Sequence, residues 1–142
     1  MAMKRIGILV GGGPAPGTNA VIAAAEIEAV KLGCTPVGFH EGFHFLAQRY
    51  TDEQHEMTIE EVSRAHLAGG VLLGASRTDV GGDPAALRNA VDALRKLAID
   101  GLVAIGGDDL GSGGRPNAVI SETMAVRWSM ESEIFRASSA LA

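Results

Sequence analysis

Three glycine-rich turns carry the residues with the most chemical potential in this sequence. The first is Gly11-Gly12-Gly13-Pro14-Ala15-Pro16-Gly17-Thr18. Residues without side chains let backbone N–H groups close on an anion, and a helix starting after such a loop adds a favourable dipole. The spacing approaches two nucleotide fingerprints and satisfies neither. Gly12 and Gly17 are spaced as in a P-loop, but Thr18 stands where that motif has its phosphate-binding Lys. Gly11 and Gly13 begin a dinucleotide pattern, but Pro16 occupies its third glycine position. An ordinary tight turn between a strand and a helix fits the same residues equally well. The second turn, Gly74-Ala75-Ser76-Arg77, offers a guanidinium whose planar fork matches phosphate oxygens, although a lone Arg is more often a surface residue. The third, Gly106-Gly107-Asp108-Asp109, sets two carboxylates beside flexible backbone. Such hard oxygen ligands suit Mg²⁺ bridged to phosphate, because magnesium keeps several waters and takes only one or two protein carboxylates. A solvated turn capping a helix is the plainer alternative.

A fourth segment, His40-Glu41-Gly42-Phe43-His44, spells H-E-x-x-H, the two-histidine zinc motif of metalloproteases. That chemistry needs a helix to put both imidazoles on one face. Here the motif directly follows a strand-like run and has Gly at its centre, so it is expected to fail as a metal site. A third ligand is undefined, with His55 and His66 the only further histidines.

The turns need elements to position them. Residues 5–10 (RIGILV) form a short apolar run ending at three glycines, which predicts a buried parallel strand. Residues 19–32, free of Pro and Gly, predict a helix with Thr18 as N-cap and Gly33 as its stop. Residues 35–39 predict a second strand, followed by a polar loop over 40–57. Thr58 and Glu61 form a capping box before a helix over 62–67, closed by Gly69 and Gly70. A third strand is expected at 71–73. Asp83-Pro84 supplies a cap and a first-turn Pro for a helix in which Leu87, Val91, Leu94 and Ala98 recur on one face. Residues 102–105 then make a fourth strand. Strands alternating with helices at these lengths predict an open, mainly parallel α/β sheet with helices on both faces. Ligand loops then belong at the carboxyl ends of strands one, three and four. After Leu110 the alternation stops. Residues 111–117 look like a linker, no fifth strand is evident, and Met124, Trp128, Ser132 and Phe135 hint at a helical stripe.

Composition bounds the function. The 142 residues carry 12 basic and 17 acidic side chains, a net charge of −5, and are 46% hydrophobic. That is one domain, able to bury about 70% of the surface its unfolded chain exposes. The negative charge argues against coating nucleic acid or anionic membrane, both of which need clustered cations. A single cysteine, Cys34, rules out an internal disulfide framework and fits a reducing cytoplasm. No apolar run approaches the roughly 20 residues that span a bilayer.

Taken in order, residues 4–110 resemble the amino-terminal part of the 6-phosphofructokinase family. KRIGILVGGGPAPGTNA is similar to its first strand and glycine loop, and VGFHEGFHFL to its G-[IF]-x-x-G-[FY]-x-x-L segment. GGVLLGASRTD resembles its G-G-T-x-L-G-[ST]-[AS]-R stretch, and IDGLVAIGGDDL its fourth strand and loop. The resemblance implies a phosphoryl-donor site, for pyrophosphate or ATP, at Gly12, Arg77, Thr78, Gly107, Asp108, Asp109 and Leu110, with Asp108 coordinating Mg²⁺. It implies fructose 6-phosphate as the acceptor in glycolysis and a homo-oligomer in the intact protein. Residues 1–110 would then be the donor-binding domain and 111–142 a divergent tail.

The departures are informative. Asp109 occupies a position that is Gly in ATP-using members and Asp in pyrophosphate-using ones. A carboxylate there crowds and repels a nucleotide's α-phosphate while leaving room for pyrophosphate. Ala23 and Ile27 replace effector-binding Arg residues of allosteric bacterial members, Pro14 replaces an Asp, and Leu110 a Ser or Thr. The family's T-I-D-N-D segment, source of the catalytic Asp base, has no match in residues 111–142, and neither has the M-G-R segment. The sequence therefore predicts an inactive chain, with a tail arising from a frameshift or gene fragmentation. Two rival expectations stand beside it: a non-catalytic phosphate-binding or interaction module, and a zinc hydrolase built on His40. The half-sheet of a cut domain would favour self-association.

Overall fold

The computed structural model describes residues 4–13, 16–78, 80, 82–106, 123–127 and 136–138, the last two segments by their backbone alone. β1 (Arg5–Val10) leads to α1 (Thr18–Lys31), β2 (Thr35–Phe39), β3 (Gln54–Glu56) and α2 (Ile59–Ser63). α3 (Pro84–Lys96), β4 (Gly101–Ile105), β5 (Thr123–Arg127) and β6 (Arg136–Ser138) follow. The strands form an open sheet in the order β3-β2-β1-β4-β5-β6. Its centre is parallel: β1 pairs with β2 and with β4 in register Ile6↔Gly101 to Val10↔Ile105. β3, β5 and β6 add antiparallel strands at the two edges.

Alternation along the central strands divides the core between two faces. Leu9, Val37, Phe39, Leu102 and Ala104 point to the α3 side, where Ala90, Ala93, Leu94 and Ile99 meet them. Ile8, Val10 and Ile105 point to the α1 side and pack with Ile22, Met57, Val62 and Leu73. The open α/β sheet with helices on both faces is thus the fold expected from the strand and helix periodicities. Gly7 explains how tightly the α3 face closes: a Cβ there would lie 2.7 Å from Phe39 and 2.9 Å from Leu102.

Caps follow local chemistry in two helices and differ in the third. Asp83 accepts from the amides of Ala85 and Ala86, with Pro84 opening α3. Thr58 accepts from the Glu61 amide at 3.3 Å. The helix it caps spans Ile59–Ser63 and passes into a single 3₁₀ turn at Ala65–Leu67, so the expected helix over 62–67 starts earlier and is shorter. At α1 the cap is Gly17, left-handed at φ 84, and Thr18 is already helical, which corrects its expected capping role. Gly33, at φ 74, ends that helix as expected.

Four other expectations change. Residues 71–73 form no strand; the chain instead makes an isolated parallel bridge between Gly11 and Ser76. The loop over 40–57 contains the edge strand β3 and a 3₁₀ turn at Leu46–Gln48. Ala98 is not on the α3 stripe: the helix ends at Lys96, and Ala98 is exposed at φ 55 in the turn beyond it. A fifth strand exists, because Thr123–Arg127 pairs antiparallel with β4, so Met124 lies in a strand and not in a helix. Trp128, Ser132 and Phe135 lie outside the described residues. Among the described residues no helix is long and apolar enough to cross a membrane.

Candidate functional site

The first and second glycine turns meet at the carboxyl end of β1. Gly11 donates its amide to the Ile105 carbonyl at 2.8 Å, which ties the loop after β1 to the last residue of β4. Gly12, left-handed at φ 84, donates to the Ser76 carbonyl at 2.8 Å. A Cβ on Gly13 would lie 3.5 Å from the Arg77 Nη2, so the guanidinium lies over a residue with no side chain. Ser76 Oγ donates to Thr78 Oγ1 at 3.2 Å, holding the two hydroxyls beside that Arg. The third turn starts one residue past Ile105. Gly106 is the last of its residues to be described; Gly107, Asp108, Asp109 and Leu110 lie outside the described residues, as does Pro14.

This geometry refines the chemistry expected of the first loop. The amides of Gly11 and Gly12 already have carbonyl partners, so neither is spare for an anion. What the glycines supply is close backbone approach, and the cationic charge at the rim comes from exposed Arg77.

A fourth loop joins the rim, and the sequence reading missed it. Gly42, left-handed at φ 57, is so close to β1 that a Cβ would sit 2.5 Å from the Val10 carbonyl oxygen and 3.3 Å from Ser76 Oγ. Glu41 donates its amide to Leu73 at 3.0 Å, and its carboxylate covers Gly74 where a side chain would collide with it. The signal was present: glycine in a position that could not tolerate a Cβ, hidden inside an apparent zinc motif. That motif itself folds as consecutive turns, with Glu41 and Gly42 both left-handed, so His40 and His44 do not share a helical face. His44 stacks edge-on against Phe45, while His40 faces His55. Among the described residues no group of three or more His, Cys, Asp or Glu side chains could hold a metal ion.

Asn19 positions the second turn. Its side-chain NH₂ donates to the carbonyls of Ala65 at 3.1 Å and Gly70 at 3.0 Å, and its Oδ1 accepts from the Leu72 amide at 2.8 Å. One buried amide thereby ties the start of α1 to the chain that leads into Gly74-Ala75-Ser76-Arg77. Nothing in spacing alone distinguishes it from a solvated polar residue near a helix start. A cavity of about 390 Å³ opens beside it, lined by Gly17, Thr18, Asn19, Ala65 and His66 among others. Of the described residues expected to contact a donor, Gly12, Arg77 and Thr78 do not line that cavity. Ala23 and Ile27 are half-buried against the α1-side core.

A family model described as phosphofructokinase matches residues 5–115. The chain belongs to the phosphofructokinase family. A pyrophosphate–fructose 6-phosphate 1-phosphotransferase from Thermotoga maritima is 45% identical over 106 residues, 75% of this chain and 25% of that protein. An ATP-dependent 6-phosphofructokinase from Histophilus somni is 38% identical over 106 residues, 75% of this chain and 32% of that protein. The chain therefore spans about a quarter to a third of the length of these curated relatives. The crystal structure of Pichia pastoris phosphofructokinase in the T-state superposes with a TM-score of 0.69 at 30% identity, covering 77% of this chain and 12% of that one. Phosphofructokinase from Saccharomyces cerevisiae gives 0.65 at 33% identity, over 74% and 14%.

Proposed function

We propose that residues 1–110 are the phosphoryl-donor half of a phosphofructokinase active site, binding pyrophosphate in preference to ATP. The observation that carries this reading is the meeting of Gly12, Gly13, Ser76 and Arg77 at one sheet edge, with the loop after β4 starting beside them. Gly12 gives the donor backbone room, Arg77 and Thr78 supply a guanidinium and a hydroxyl, and Gly107, Asp108, Asp109 and Leu110 close the site from the third turn. The preference for pyrophosphate rests on Asp109, whose carboxylate would repel a nucleotide's α-phosphate. The 45% identity to pyrophosphate-dependent relatives, against 38% to an ATP-dependent one, supports it.

Mg²⁺ suits the pair of carboxylates that the sequence places in the third turn, because this cation takes one or two protein carboxylates and completes its shell with water and phosphate oxygens. Asp108 would hold it, and Mg²⁺ there would neutralise charge on the donor phosphates. In the intact protein the acceptor would be fructose 6-phosphate, in the cytoplasm, within a homo-oligomer. These 142 residues by themselves have no T-I-D-N-D segment and hence no base for the acceptor hydroxyl. Phosphoryl transfer depends almost wholly on positioning and charge stabilisation, so binding without turnover is expected. Residues 111–142 then act as a divergent tail of frameshift or gene-fragment origin.

Calorimetric titration of pyrophosphate into the purified chain with and without Mg²⁺ tests the reading. Binding should require Mg²⁺, exceed that of ATP, and weaken about tenfold to a hundredfold in Arg77→Ala, the loss of charge-assisted hydrogen bonds. Tighter binding of ATP, or an Arg77→Ala variant that binds as the parent does, would refute it.

A further inference from the structure

Behind the rim, on the α1 side of the sheet, runs a line of titratable groups that donor binding does not use. Glu26 lies on the buried stripe of α1 between Ile22 and Ala29, is 0% exposed, and neither carboxylate oxygen has a hydrogen-bond partner among the described residues. On α2, packed against α1, Glu61 accepts from His55 Nε2 at 2.8 and 3.0 Å. The other nitrogen of that ring, Nδ1, is 2.9 Å from His40 Nε2, and the two imidazoles stack with centroids 4.9 Å apart. With Glu61 ionised, His55 Nε2–H must donate to it. Nδ1 then accepts from His40 when His55 is neutral and donates to His40 when His55 is protonated. Uptake of a proton reverses one hydrogen bond, moves the His40 hydrogen to its other nitrogen and leaves the chain connected.

Among the described residues, the charged side chains Glu41, Glu53, Glu60 and Arg64, on or beside these elements, are exposed. On α1 itself, Glu28 and Lys31 pair with each other at 2.7 Å on the exposed side. Glu56 of β3 lies on the opposite face of the sheet, paired with Arg5 of β1. β1 and β4 present Ile8, Val10 and Ile105 here, and His66, beyond α2, is exposed at the other end of α1.

We propose that Glu26, Glu61, His55 and His40 form one proton-linked unit, which makes the packing of α1 on α2 respond to pH and conveys that response to the end of β2. His40 adjoins Glu41 and Gly42, the two residues that brace the rim, so the unit ends where the second glycine turn is held. The proposal does not depend on what the rim binds.

Its sign follows from Glu26. Burial first, and the nearby Glu61 charge second, raise its pKa above the ordinary value of 4.5. A carboxyl raised in the folded state contributes stability that is fully present below its unfolded pKa and is lost as pH rises through its folded pKa. Urea unfolding of the full 142-residue chain between pH 5 and 9 reads this directly. In the parent protein the unfolding constant should rise with pH, by up to about tenfold per unit for one proton. Glu26→Gln, and Glu26→Met as a second variant, should remove that rise. Histidine ring signals in NMR should shift for both His40 and His55 in Glu26→Gln relative to the parent, because the line of groups they belong to has lost its end group. A pH dependence retained in both variants, or His40 and His55 ring signals that superimpose on those of the parent, overturns the proposal.

Discussion

The two faces of the sheet are closed by different means. On the α3 side the contacts between sheet and helix are apolar, with Leu9, Val37, Phe39 and Leu102 against Ala90, Ala93, Leu94 and Ile99. On the α1 side an apolar strip is interrupted by Asn19, Glu26 and the pair formed by Glu61 and His55. Hydrophobic burial is non-directional and can hold a helix on a sheet, but it does not fix the path of a loop to a fraction of an ångström. Hydrogen bonds to named carbonyls can. The polar face is the one through which the chain between α2 and Arg77 is placed, and it is the one whose strength depends on protonation.

The comparison breaks most visibly at Phe39. It is buried on the α3 face, touches the position where a Gly7 Cβ would be, and has no polar role. Phe39→Ala should destabilise the fold by about 3–5 kcal/mol through lost burial and the cavity left behind. Urea unfolding checks this, and the cost should be the same at pH 5 and pH 8. Asn19 is the counterpart on the other face. Asn19→Ala leaves the Gly70 carbonyl and the Leu72 amide without this partner and the Ala65 carbonyl with the Ala68 amide alone, a cost of about 1–3 kcal/mol. Unlike Phe39→Ala, it should also loosen the second turn, seen as faster amide hydrogen exchange at Ser76 and Arg77. Equal exchange in the two variants would show that the polar face does not position that turn.

Glu26 sharpens the contrast by reversing the sign. Replacing a buried carboxyl that makes no hydrogen bond with an apolar side chain of similar length removes a desolvation cost of about 1–3 kcal/mol. Glu26→Met should therefore raise the thermal midpoint, and by more at pH 8 than at pH 5, since the parent weakens as this carboxyl ionises. A lowered midpoint at both pH values would mean that the carboxyl has a partner it needs.

How far these features were legible in sequence follows from what kind of interaction makes them. α3 could be read because its buried and exposed residues alternate at helical spacing and Asp83-Pro84 announces its start. α1 is apolar on nearly every side, so its existence was evident while the face it buries was not, and no local pattern marks Glu26 as buried. The turn glycines were visible as a group. Their mutual bonds, Gly12 to Ser76 and Gly42 against Val10, join residues more than 30 positions apart, which no local pattern encodes. The strand expected at 71–73 failed for a related reason: Asn19, 53 residues upstream of Leu72, takes the amide that a sheet neighbour would have used. β5 was missed because polar residues around it disguise a strand that only its pairing with β4 defines.

The smallest expected effect returns to the α3 face and limits what charge does there. Arg49 Nη2 and Asp92 Oδ2 are 2.9 Å apart, linking the 3₁₀ turn after β2 to α3, but their side chains are 60% and 49% exposed. Water screens such a pair, and holding two mobile side chains together costs entropy, so exposed ion pairs contribute about 0–1 kcal/mol. The same turn is already held to α3 by Asn89, which donates to the Ala47 carbonyl at 2.9 Å. Arg49→Ala should thus change the urea midpoint by less than either Asn19→Ala or Glu26→Met, and the difference should vanish in 1 M salt, where the screening length falls to about 3 Å. A loss that persists at high salt would mean that the aliphatic stem of Arg49 packs on α3. The α3 face would then also depend on a charged residue, through its carbon atoms and not its charge.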